Sequence, residues 1–213
     1  MHTYKAVLFD LDGTLIDNTT AIVDIYKRVA ILLGKQPPDD DFIASLGGKS
    51  TYATAEAMGI ERQYWSQVDA FFWKEFKMYC KELREKPKLI DGVELLLAQL
   101  SERGVRMSVV TSNERENAEF LLQKVELLKH FELIIGRSEV TNYKPSPIPL
   151  ITALKNMGIE TWSKDEVIYV GDTESDVRSA KVAGVLAVQL TSGKSEADHC
   201  IQDISQVLEL FDK

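Results

Sequence analysis

Five short, almost wholly apolar runs punctuate the chain: Ala6–Phe9, Met107–Val110 (interrupted by Ser108), Leu133–Ile135, Val167–Val170 and Val185–Val188. Each is too short for a helix and shows no polar alternation, so each predicts a strand covered on both faces. Between them the apolar positions recur with helical spacing. Val93, Leu96, Leu97 and Leu100 form one stripe before Gly104, and Ala118, Leu121, Leu122 and Val125 form another. Pro147–Met157 has proline near its start and Gly158 just past its end, and Ser175–Ala183 closes at Gly184. That asymmetry marks helix boundaries. Ile204, Val207, Leu208 and Phe211 predict a last helix. Strand alternating with helix predicts an α/β fold, a doubly wound parallel sheet with helices on both faces.

One interval breaks the alternation. Between Leu15 and Pro87 only helical patterns occur: Thr20–Leu33 before Gly34, Thr51–Met58 before Gly59, and a long stretch over Arg62–Glu85. In the last, Trp65, Val68, Phe72, Phe76 and Tyr79 share one face, and seven aromatic residues lie between Tyr64 and Tyr79. Phe71 and Trp73 fall off that stripe. The pattern predicts an inserted all-helical subdomain over 15–87, within a core domain made of 1–14 and 88–213, its aromatic stripe serving as the packing face.

Composition narrows the classes. Hydrophobic residues make up 45% and charged residues 27% of the 213, a globular balance. The formal net charge is −8, which argues against nucleic acid as a partner. No run approaches the ~20 apolar residues of a membrane span. Ala6–Phe9 is far shorter than a signal-peptide core, and Cys80 and Cys200 stand apart with no ligand spacing around them. Together these predict a cytoplasmic protein with reduced thiols. His2, His130 and His199 are scattered and read as surface or structural residues.

In an open parallel sheet, ligands bind beyond the carboxyl ends of the strands. Asp10-Leu11-Asp12-Gly13-Thr14 follows the first predicted strand and Thr111-Ser112-Asn113 the second. Lys144-Pro145 comes some way after the third, and Gly171-Asp172-Thr173-Glu174-Ser175-Asp176 after the fourth. Taken singly these are turn formers, helix caps and a loop lysine. Taken jointly, four acids beside one hydroxyl-rich turn and one lysine would repel one another unless a cation lies among them. Oxygen ligands select a hard cation such as Mg²⁺, which commonly takes carboxylates, water and a substrate phosphate. A carboxylate can attack phosphorus, and a second one two residues on can protonate a leaving alcohol and later activate water.

These same residues resemble a known family. Phe9-Asp10-Leu11-Asp12-Gly13-Thr14-Leu15, Val109-Val110-Thr111-Ser112-Asn113, Lys144-Pro145-Ser146-Pro147 and Val170-Gly171-Asp172-Thr173-Glu174-Ser175-Asp176 resemble, in order, the four motifs of the haloacid dehalogenase-like hydrolase superfamily. The closest resemblance is to its phosphoglycolate phosphatase-like branch, whose members carry a helical cap between the first two motifs. The resemblance implies a Rossmann-like core and a Mg²⁺-dependent phosphatase acting on a small phosphorylated metabolite. It implies Asp10 as nucleophile and Asp12 as general acid and base. Thr111, Ser112, Asn113 and Lys144 would bind phosphate. Asp10, the Asp12 carbonyl and Asp172 would hold the metal, with Asp176 acting through water or from behind.

Departures from neighbouring branches sharpen this. Dehalogenases and phosphonate-cleaving members lack an acid at the position of Asp12, and ion pumps carry lysine at the position of Leu11. A sugar phosphomutase built on the same core stays open as an alternative. So does a non-catalytic phosphate-binding or signalling module. Gly47-Gly48-Lys49-Ser50 resembles the end of a P-loop, but Ile43 stands where the first glycine belongs and no strand precedes it. A cap turn bringing Gly48 and Lys49 to substrate is the expectation there. Oligomeric state and the identity of the metabolite are not encoded legibly.

Overall fold

The computed structural model describes residues 4–47, 49–82 and 86–212. In chain order the strands and α-helices are β1 (Ala6–Phe9), β2 (Ile16–Asp17), α1 (Thr19–Leu32), α2 (Asp40–Ala44), α3 (Thr51–Ala57), α4 (Trp65–Glu82), β3 (Lys88–Leu89), α5 (Val93–Glu102), β4 (Arg106–Val110), α6 (Arg115–Lys124), β5 (Leu133–Ile135), α7 (Ile148–Asn156), β6 (Val167–Gly171), α8 (Glu174–Ala183), β7 (Leu186–Leu190) and β8 (His199–Ile201). The chain divides into two compact units, Met1–Ile16 with Pro87–Lys213, and Asp17–Lys86.

The first unit is built on a six-stranded sheet in the order β5-β4-β1-β6-β7-β8, every pairing parallel. The chain builds outwards from β1 through β4 to β5, then crosses to β6 on the other side. Strand order therefore reverses beside β1, and the carboxyl end of β1 is the crevice where such sheets bind ligands. Register makes that edge level. Phe9 lies opposite Val109 on one side and Val170 on the other, so the residues after all three strands emerge together.

β1, β4 and β6 are buried along almost their whole length because both faces are covered, with Ser108 a buried polar residue within β4. On one face Leu8, Val110 and Tyr169 pack in one cluster with Leu150, Ala153 and Leu154 of α7 and Val177, Ala180 and Ala183 of α8. Val93, Leu96, Leu97 and Leu100 are the buried stripe of α5. Phe9 meets Phe131 edge-on at 6.2 Å between ring centroids.

The second unit is helical. α1 packs on α2 and α4, and α3 packs on α4. Tyr26 stacks on Phe72 at 4.8 Å, and Phe72 stacks on Phe76 at 6.0 Å. A polar contact lies among these aromatics: Asp69 accepts hydrogen bonds from the Thr51 hydroxyl and from Trp73 Nε1. Trp73 thus has a packing and hydrogen-bonding role, flanking Phe72 and Phe76 edge-on.

Several boundaries depart from expectation for local reasons. The stretch from Arg62 opens as a 3₁₀ turn over Arg62–Tyr64 before α4, where the Trp65 indole is tied back to the Ile60 carbonyl at 2.8 Å. The last predicted helix is a 3₁₀ helix, Ile204–Leu210, started by Asp203 accepting from the Ser205 amide. β8 is an edge strand of three residues beginning at a histidine, and β2 and β3 form a ribbon of two residues each. Segments this short carry no periodicity to read. The five-residue α2 is short for the same reason.

Leu8 is fully buried in the central strand, opposite Ser108 and Tyr169. Leu8→Ala should cost about 2–5 kcal/mol of unfolding free energy, as buried leucine truncations do. Denaturant unfolding measures it.

Candidate active site

All the acids singled out in the sequence lie in the first unit, at the carboxyl edge of the sheet. The chain leaves β1 through a tight loop in which the amides of Leu15 and Ile16 both donate to the Leu11 carbonyl, at 2.9 and 3.0 Å. Gly13 makes this loop possible twice over. Its φ is +86°, a conformation costly for other residues, and a Cβ there would fall 2.4 Å from Asp172 Oδ2. Gly171 answers it from β6: a Cβ would lie 2.4 Å from that of Asp176.

Lys144 is the centre of the site. Its Nζ donates to Asp10 Oδ1 at 2.6 Å and to Asp176 Oδ1 at 2.7 Å, all three side chains being buried. It also donates to the Tyr169 hydroxyl at 3.0 Å. That hydroxyl points at Asp176 Oδ1, 2.9 Å away, and at the Val110 carbonyl at 3.2 Å. Asp176 is held from its other side by the start of α8. Its Oδ2 accepts from the Thr173 amide at 3.1 Å and the Thr173 hydroxyl at 2.6 Å, while the Asp176 amide donates back to that hydroxyl. This reciprocal capping box satisfies the helix start and immobilises the carboxylate in one stroke.

Asp172 is fixed differently. Its backbone carbonyl accepts from Gln189 Nε2 at 2.8 Å, and its Oδ1 accepts from the Thr14 hydroxyl at 3.4 Å. On the other flank, Thr111 Oγ1 accepts from the Asn113 backbone amide at 3.0 Å, which leaves its own proton available to donate. Asn113 Nδ2 donates to Asp12 Oδ2 at 3.3 Å, and Asn113 Oδ1 accepts from Asn117 Nδ2 at 3.2 Å. Ser112 is exposed. Lys49 is exposed in the turn before α3 of the second unit, and Gly48 lies outside the described residues.

The charges do not balance within the protein. Burial raises the Asp176 carboxyl, but Lys144 and the hydrogen bonds from Thr173 and Tyr169 outweigh it and hold the group below its usual value. Burial works against a charged Lys144, yet Asp10 and Asp176 raise it well above normal. Asp10 is pushed well up by burial, against the pull of Lys144, with Asp176 and Asp172 adding to the rise. Asp172 is pushed up to about 7 by burial and by Asp176. One ammonium thus offsets one carboxylate, and Asp10 and Asp172 are left short of positive charge. Oxygens of Asp10, Asp172 and Asp176 lie within 4.8 Å of one another, an all-oxygen set that fits a hard divalent cation. The cation inferred between the acids is therefore in part Lys144 itself.

Tyr169, Gln189 and Asn117 were not singled out in the sequence. Tyr169 reads as one more bulky residue in a strand, and Gln189 falls past the predicted end of its strand at Val188. Asn117 is one polar residue in a helix. Spacing marks none of them; only their partners do.

Comparison with known proteins gives consistent results. A family model described as haloacid dehalogenase-like hydrolase matches residues 7–189. The chain is 31% identical to the N-acetylmuramic acid 6-phosphate phosphatase of Pseudomonas putida over 89% of this chain and 83% of that one. It is 29% identical to a phosphoglycolate phosphatase of Chromobacterium violaceum over 98% and 95%. A solved haloacid dehalogenase-like family hydrolase from Streptococcus pneumoniae shares the fold with a TM-score of 0.84 at 22% identity, covering 99% of this chain and 100% of that one.

The Asp172 carboxyl yields a pH prediction. Its folded-state value, about 7, lies above the ordinary 3.8, so the metal-free folded state holds this proton more tightly than the unfolded chain. Stability from that group is full below the unfolded value and is lost as pH rises towards the folded one. The melting-temperature difference between metal-free Asp172→Asn and wild type should therefore move in favour of the variant between pH 4 and 7. A difference that stays flat over that window would remove Asp172 from the charge imbalance.

Proposed function

Because the chain belongs to the haloacid dehalogenase-like hydrolase family, we propose that it is a Mg²⁺-dependent phosphatase of small phosphorylated metabolites. The observation that carries this reading is the pairing of Lys144 with Asp10 and Asp176 beside an Asp172 that lacks a counter-charge. Its relatives named above are phosphatases for two different phosphorylated compounds, which supports the reaction class and leaves the metabolite open.

The chemistry follows from the residues. An Asp10 oxygen attacks phosphorus; the bond from phosphorus to the leaving oxygen breaks, and that oxygen takes the electron pair and a proton from Asp12. Water then attacks the aspartyl-phosphate and gives a proton to the Asp12 carboxylate. The bond between phosphorus and the Asp10 oxygen breaks, restoring the carboxylate and releasing inorganic phosphate. Lys144 keeps Asp10 directed and offsets charge on the phosphoryl oxygens, and Thr111 directs its free proton at one of them. Asn113 and the Ser112 end of the same turn would complete the phosphate contacts. Mg²⁺ would be held by Asp10, the Asp12 carbonyl and Asp172, with Asp176 behind, and when bound it supplies positive charge to the transferring group.

The unit Asp17–Lys86 corresponds to the cap in this reading, and Lys49 and Gly48 are the residues proposed in it for substrate contact. We place the enzyme in the cytoplasm, in keeping with its two free thiols. Among the described residues no helix is long and apolar enough to cross a membrane.

Phosphate release from a panel of phosphorylated metabolites, with and without Mg²⁺, tests the proposal. Release should require the metal; isomerisation of a hexose phosphate primed by its bisphosphate would mark a mutase in its place. Asp10→Asn preserves shape but cannot attack, so kcat should fall to about a thousandth or less with the melting temperature little changed. Mg²⁺ should raise the wild-type melting temperature by binding the folded state alone, and by less in Asp172→Ala.

A further inference from the structure

We infer that Asn117 is a positioning residue for Asp12, acting through the side chain of Asn113. The inference rests on the acid and base role proposed for Asp12. Asn117 projects from the first turns of α6 and is 3% exposed; Asn113, in the turn before that helix, is 1% exposed. Amides buried to this degree hold fixed partners or lose stability. Here they form a chain from Asn117 Nδ2 to Asn113 Oδ1 and from Asn113 Nδ2 to Asp12 Oδ2.

The direction of that chain is forced. An ionised carboxylate only accepts, so Asn113 must face Asp12 with its NH₂. Its carbonyl is then turned towards α6 and needs a donor, which Asn117 provides. Without that donor the Asn113 amide could rotate and present its carbonyl to Asp12, oxygen against oxygen. Asp12 is only partly buried, on a loop held by Gly13. The two amides link that loop to a helix packed in the core, and so fix where Asp12 delivers its proton.

The experiment compares kcat/KM for 4-nitrophenyl phosphate and phenyl phosphate, two esters of nearly the same shape. Nitrophenolate leaves readily without a proton, whereas phenolate depends on the acid. Asn117→Leu removes the donor at similar volume. It should lower kcat/KM for phenyl phosphate more than for the nitrophenyl ester, raising the ratio between them by about three- to tenfold. Asp12→Ala should raise the same ratio further. Asn117→Ala, smaller than asparagine and also without a donor, gives the same reading if leucine at this buried site does not fold. An unchanged ratio in a folded Asn117 variant, whether activity is kept or lost equally on both esters, overturns the inference. An unchanged ratio in Asp12→Ala instead overturns the acid role of Asp12 on which it rests.

Discussion

One buried ammonium organises this molecule. Lys144 Nζ, shared between Asp10 and Asp176, joins three separate chain segments at the carboxyl edge of the sheet. Taking three ions out of water is expensive, and mutual attraction offsets the cost only where geometry is good and the remaining polar atoms are satisfied. The surroundings meet that condition. Tyr169 and Thr173 occupy the other positions around Asp176, and the parallel register sets Asp10 level with the ends of β4 and β6. Gly13 and Gly171 remove the side chains that would keep Asp172 and Asp176 away. Sheet, loop and helix cap thus act on one arrangement of charge.

The arrangement is deliberately incomplete. A lysine neutralises one carboxylate, and the other two stay raised in affinity for protons. A structure selected for stability alone would replace such acids with apolar groups. Their retention places the unfavourable term where a cation and a phosphoryl group can relieve it. In the proposed reaction, binding free energy would offset what this charge distribution costs, and the same interaction would align Asp10.

This explains which parts were legible in the sequence. Strands buried on both faces announce themselves as short, mostly apolar runs, and the rule that open parallel sheets bind ligands beyond the carboxyl ends of their strands tells where acids following them converge. Asp10, Lys144, Asp172 and Asp176 can be assembled on that ground from the sequence. What the pattern hides is partnership. Tyr169 contributes apolar surface to β6 and a hydroxyl to Lys144, and only the first shows as hydrophobicity. The short edge strand at His199–Ile201 and the ribbon of β2 and β3 are set by tertiary pairing, with too few residues for a period. The substitution of 3₁₀ turns for regular helix at Arg62 and Ile204 likewise depends on local hydrogen bonds, from Trp65 and to Asp203, that apolar spacing does not record.

The two aspartates after β1 are held by opposite means, and the difference follows from the roles proposed for them, Asp10 as nucleophile and Asp12 as acid and base. Asp10 must stay a carboxylate to attack, and an ammonium at 2.6 Å favours the charged form. Asp12 must give up a proton and take one back within a single turnover. A lysine at its side would favour the ionised form and oppose its action as an acid. An amide N–H donates to a carboxylate and, somewhat less strongly, to the carbonyl oxygen of the neutral acid. Asn113 can therefore hold Asp12 in place through both protonation states without fixing either. The neutral amide chain from α6 constrains position and leaves charge to change, whereas the lysine also draws its partner towards the charged form, against the burial that opposes it.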